Sequence, residues 1–141
     1  MIPLIRKLTR RKLYPTLWTI LTVVLLCLPG SALPSGGLFS IKHLDKVAHI
    51  VLFGGIVLLW GFFLYQRQKF KTRWLELVVL ITAGNIVFGI IMEYIQRDYI
   101  PNRSFDVGDI LADAAGSIAV MSYLVLRHYA AKKRSRKTSS L

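Results

Sequence analysis

Apolar residues fill four long stretches of the chain, Leu13 to Leu33, Leu44 to Tyr65, Trp74 to Gln96 and Phe105 to Arg127. At about 1.5 Å per helical residue, each is long enough to cross about 30 Å of hydrocarbon. The pattern predicts an all-α integral membrane bundle of four transmembrane helices. Residues 1–12 form a basic N-terminus, residues 13–127 the membrane domain, and residues 128–141 a basic, Ser-rich tail expected to be disordered. Pro29, Gly30, Pro34, Gly36 and Gly37 mark the end of the first helix and a flexible connection. Basic residues followed by an apolar run and Pro29-Gly30-Ser31-Ala32 also resemble a cleavable secretory signal. The run reaches back to Tyr14, and its removal would leave only three helices, so it is expected to stay as an anchor.

Composition strengthens this reading. The 141 residues are 54% apolar with mean hydropathy +0.50, against roughly 45–50% apolar for a soluble domain. Four spans use nearly the whole length, leaving no room for a separate soluble domain. The single cysteine, Cys27, excludes an intrachain disulfide, and zinc-type Cys/His spacing is lacking. The net charge of +12 raises nucleic acid as a partner. The basic residues lie outside the apolar runs, however, which points to the positive-inside rule and to anionic lipid heads, with no nucleic acid partner. Fifteen Lys and Arg precede the first span, join the second to the third or follow the fourth, against four on the other side. Both termini are therefore expected in the cytoplasm, and the chain in the plasma membrane.

With that orientation, Asp45, Glu93, Asp98, Asp106, Asp109 and Asp113 share the outer face, and only Glu76 lies at the inner one. Lys46, His49, Gln96, Arg97 and Arg103 accompany the six acids. Asp45 and His49 are four residues apart, Glu93 and Gln96 three, and Asp106, Asp109 and Asp113 three and then four, so each set forms one stripe of its helix. Ionisable groups within spans are costly and usually face the bundle interior or a cavity. Asp106 alone reads as a cap of the fourth helix, Asp98 and Arg97 as solvated loop residues, and Asn85, Gly89 and Gly116 as helix-packing devices. Asp109 and Asp113 lie too deep for such readings. They are expected to share a proton, with Asp109 paired to Arg103 and Asp113→Asn harmless to folding.

The motifs Asp45-Lys46-x-x-His49, Glu93-x-x-Gln96 and Arg103-x-x-Asp106-x-x-Asp109-x-x-x-Asp113-x-x-Gly116 resemble those of the VanZ-like family of small membrane proteins. The resemblance runs from about Leu33 to Val120; Asp113 departs from it, standing where the family usually has Asn. The family takes its name from a member linked to glycopeptide resistance, chiefly to teicoplanin. The resemblance implies functional roles for Asp45, Lys46, His49, Glu93, Gln96, Arg103 and Asp109.

Two classes of function fit these residues. In the first, an outer pocket that also includes Asp106 and Asp113 binds a lipid-linked cell-wall precursor or a lipoglycopeptide. Lys46 and Arg103 would hold its phosphate or carboxylate, and Glu93, Gln96 and Asp109 its hydroxyls or amides. In the second, an enzyme acts on such a lipid, with His49 as general base oriented by Asp45, or with a divalent metal on His49, Glu93, Asp109 and Asp113. No cofactor is expected, and no nucleophile or metal-hydrolase motif supports the second class.

Overall fold

The computed structural model describes residues 11–32, 43–67 and 72–138, and all of its regular structure is helical. Helix α1 covers Leu13–Leu26 and is followed by a 3-10 turn at Gly30–Ala32; α2 covers Leu44–Tyr65, α3 Trp74–Tyr99 and α4 Val107–Thr138. Three of these, α2, α3 and Val107–Arg134 of α4, are long and apolar enough to cross a membrane. The chain is a helical membrane protein by that measure.

The boundaries differ from the sequence pattern at both ends. Helix α1 has 14 residues, about 21 Å, short of the roughly 30 Å of a full crossing. It stops before Leu33, which lies outside the described residues, because Pro29 has no N–H to donate and disfavours helical geometry at Leu28. At the other end, α4 runs on to Thr138 through residues expected to be disordered. Ala130, Ala131, Lys132, Lys133 and Arg134 are strong helix formers, and they extend a helix whose first turns are already anchored.

Helices α2 and α4 make the most extensive contact in the bundle, α3 packs against both, and α1 lies on α2. Glycines let α2 and α4 approach. A Cβ on Gly116 would run into the backbone of Ile50, and one on Gly54 would lie 3.2 Å from the Gly116 carbonyl oxygen. Such close crossings are how helices associate in lipid, where burial of apolar surface gives little drive. One half of the core holds Val57, Phe62, Leu64, Trp74, Val78 and Leu124; the other holds Leu26, Leu52, Phe53 and Met92. Large apolar side chains such as Leu17, Val24, Val51, Leu80, Leu111 and Leu126 point outward, as a lipid-facing surface requires.

Gly116→Ala is expected to destabilise the bundle by about 2 kcal/mol, since the methyl group has only backbone to push against. Gly84→Ala should be neutral or stabilising, because no atom lies within 4 Å of the added carbon and the helix gains propensity. Thermal unfolding of both variants in one detergent checks the contrast.

Candidate functional site

The start of α2, the last turns of α3 and the start of α4 meet at one end of the bundle, and most of the acidic side chains meet there with them. Asp106 precedes α4 and caps it: its Oδ1 accepts the Gly108 N–H at 2.6 Å, and its carbonyl accepts the Asp109 N–H at 3.0 Å. Glu93, from α3, accepts the Asp106 N–H through Oε1 at 2.5 Å while being only 2% exposed. A buried carboxylate thus fixes the point at which α4 begins.

Lys46 Nζ donates to Asp106 Oδ2 at 2.6 Å, to Asp109 Oδ1 at 3.0 Å and to Asp45 Oδ2 at 3.4 Å. One ammonium therefore bridges three carboxylates, from α2, from α4 and from the residue that caps α4. Below it, His49 Nδ1 lies 2.8 Å from Asp113 Oδ1, and its Nε2 lies 3.8 Å from Asp109 Oδ2. The His49 ring stacks in parallel on Phe53, centroids 6.2 Å apart. Farther along the same α4 stripe, Ser117 Oγ donates to the Asp113 carbonyl and accepts from Asn85 Nδ2, which also donates to the Phe53 carbonyl. The site is graded from half-exposed at Asp45 and Asp106 to buried at His49, Glu93 and Asp113.

Several partners differ from those expected on sequence. Asp109 pairs with Lys46 rather than Arg103. His49 is oriented by Asp113 on α4, not by Asp45 on its own helix, and Asp113 has this histidine as partner in addition to any sharing with Asp109. Gln96 and Arg103 serve the end of α1: Gln96 Nε2 donates to the Leu26 carbonyl at 2.9 Å, and Arg103 Nε to the Leu28 carbonyl at 3.3 Å. The first satisfies a carbonyl that the end of a helix leaves open, the second one in the segment just beyond it. The Gly30 N–H donates to the Pro101 carbonyl, and a Cβ on Gly30 would collide with the Asn102 carbonyl, so the turn after α1 seats directly on the α3–α4 loop. Arg97 and Asp98, expected in a loop, lie in the last turn of α3 and pair with each other at 2.7 Å on the surface.

Ser117 and Phe53 were not singled out by sequence. Ser117 follows Asp113 by four residues and continues its stripe, a signal that spacing offered; the stacking of Phe53 needs the tertiary structure.

The expected metal set is not the one assembled. Among the described residues, ligand atoms within 4.8 Å of one another belong to Asp45, Asp106 and Asp109, whereas Glu93 is engaged with a backbone N–H and Asp113 with His49. The Lys46 ammonium already supplies positive charge to that trio.

The Lys46 ammonium, and next the Gly108 N–H, hold the Asp106 carboxyl below its usual value. A depressed value means that the stabilisation is fully present above the ordinary carboxylate value of about 3.9 and is lost as pH falls through the lower folded one. Wild-type protein is therefore expected to lose thermal stability below about pH 4 more steeply than Asp106→Asn. Melting temperatures of the two from pH 7 to pH 3 test this; parallel curves would remove Asp106 as an acid-sensitive clamp.

Comparison of the chain with protein-family models, with curated proteins and with solved structures gives no match.

Proposed function

We propose that the chain is a VanZ-like plasma-membrane protein with both termini in the cytoplasm, α1 retained and lengthened by the segment through Ala32 into a fourth crossing, and an outer-face site that binds the headgroup of a lipid-linked cell-wall precursor or a lipoglycopeptide. The bridge from Lys46 to Asp45, Asp106 and Asp109 carries this reading. It sets partly exposed charges at the end of the bundle, where a ligand keeps its tail in lipid. Retention of α1 is supported by the donors of Gln96, Arg103 and Trp18, the last reaching the Leu52 carbonyl at 3.0 Å. The orientation is supported by the fifteen-to-four distribution of basic residues.

The charge balance refines the ligand. Lys46 is taken up by carboxylates, whereas the Arg103 guanidinium donates through Nε to a neutral carbonyl and keeps its charge, so Arg103 is the group for a phosphate while the acceptors around Lys46 suit an amine or a set of hydroxyls. Melting shifts of the purified protein with teicoplanin and with a pyrophosphate-linked cell-wall lipid test the proposal. A saturable shift that Asp45→Asn weakens at least fivefold is expected; no shift, or one that Asp45→Asn leaves intact, overturns it. For the orientation, a cysteine at Ser139 in a Cys27→Ser background should resist an impermeant reagent in intact cells, and labelling would reverse the assignment.

A hydrolase reading is favoured by one observation, the 2.8 Å contact between His49 Nδ1 and Asp113. It orients the imidazole by a carboxylate, as a general base is oriented, and Nε2, 3.8 Å from Asp109 Oδ2, is the nitrogen left to take a proton. Headgroup release from the pyrophosphate-linked lipid, abolished by His49→Asn, would establish it over simple binding.

A further inference from the structure

Away from the polar site, α1 and α3 flank α2 without packing along each other. They are joined at one end, where Gln96 holds the Leu26 carbonyl, and a cleft of about 330 Å³ opens between them. Val23, Ile56, Trp60, Ile81, Gly84 and Phe88 line most of it. The remaining lining residues, Thr19 and Asn85, are polar, but the Thr19 hydroxyl and the Asn85 amide nitrogen are engaged inside the protein. Thr19 Oγ1 donates to the Pro15 carbonyl and accepts from Trp60 Nε1, and both bonds of Asn85 Nδ2 go to α2 and α4. At Gly84 nothing lies within 4 Å of where a Cβ would stand, so a side chain there would enter the cleft.

Depth decides what can fill this space. Ile56 lies near the middle of α2 and Gly84 near the middle of α3, where a spanning bundle meets hydrocarbon alone. Water is disfavoured, because it needs two or more polar partners. At protein packing density the volume suits about a dozen methylenes. On the side of the polar site α1 and α3 are tied by the Gln96 bond to Leu26, and at the opposite end the termini of α1, α2 and α3 carry Lys12, Arg67 and Arg73. Each of these lies about 10 Å along its helix beyond the cleft, at the level of a headgroup; Arg73 is paired there with Glu76 at 3.1 Å, so Lys12 and Arg67 are the cations that face an anion.

We propose that the cleft between α1 and α3 seats one acyl chain of an anionic phospholipid from the leaflet at the basic end of the bundle, whose headgroup lies between Lys12 and Arg67. The open position at Gly84 admits the chain, and the basic helix ends select the charge. This site is separate from the polar one and does not depend on its ligand.

The test is retention of lipid by the full chain. Protein reconstituted in an equimolar mixture of phosphatidylglycerol and phosphatidylcholine, then extracted in mild detergent, is analysed by native mass spectrometry. One phosphatidylglycerol per chain is expected, with retention lowered at least fivefold in Gly84→Leu and unchanged in Leu80→Phe, which alters the outward face of the same helix. Val23→Phe fills the cleft from α1 and should match Gly84→Leu, which keeps the test open should either variant fail to fold. Retention unaffected by both fillings, equal retention of the two lipids, or a dimer that both fillings abolish would overturn the proposal.

Discussion

His49→Leu is expected to lower stability by about 3 kcal/mol, more than any other single substitution at the polar site. Asp113 is 2% exposed and faces His49 Nδ1 at 2.8 Å. Leucine fills much of the imidazole's volume yet offers no hydrogen-bonding group, so the carboxyl group is left buried without that partner. The loss comes mainly from this stranded group rather than from a cavity. Asp113→Asn should cost less, because its amide oxygen still accepts from Nδ1, but not nothing, as it would if Asp113 had no partner beyond Asp109. The double variant His49→Leu/Asp113→Asn should be more stable than the sum of the single losses implies, by about 1 kcal/mol or more. Thermal or denaturant unfolding of the four proteins in one detergent measures this coupling. Additive losses would mean that the 2.8 Å contact contributes no energy.

The positions of the spans were legible because continuous apolar length is a local property: Leu44–Tyr65 coincides with its sequence boundaries, and Trp74 opens α3 as expected. The ends were less so. Pro29 marked the end of α1, but where before it the helix stops, or whether a helix continues past Arg127, depends on competition between propensity and what surrounds each end. The gathering of the acids was legible through stripes at three- and four-residue spacing, which need no knowledge of neighbouring helices. Pairing across helices was not, since spacing says which face a residue occupies but not the rotation of that face against another. Asp45 and His49 share a helix and invite pairing, yet Asp45 meets Lys46 and His49 meets Asp113. Gln96 and Arg103 could not be recognised as holding α1 because carbonyl acceptors at a helix end leave no trace in residue identity.

Lys46→Met should have the second largest effect at the polar site, a loss of about 2 kcal/mol, and it separates charge balance from packing. Methionine keeps the length and most of the apolar stem while removing the ammonium that contacts three carboxylates. Asp45, Asp106 and Asp109 would then face one another with ligand atoms within 4.8 Å, and their mutual repulsion opposes the docking of α4 on α2. Lys46 is 27% exposed and Asp106 47%, so solvent screens part of this, which keeps the loss below that of His49→Leu. Added calcium should restore much of the melting temperature of Lys46→Met, because three carboxylates without an ammonium suit a hard divalent cation. Wild-type protein should show no such gain, its trio being already neutralised in part by Lys46. Lys46→Arg should keep most of the stability, since the guanidinium retains the charge. If Lys46→Met melts with the wild type and ignores calcium, the bridge contributes little, and the docking of α4 must rest on the Glu93 cap and the Gly116 crossing instead.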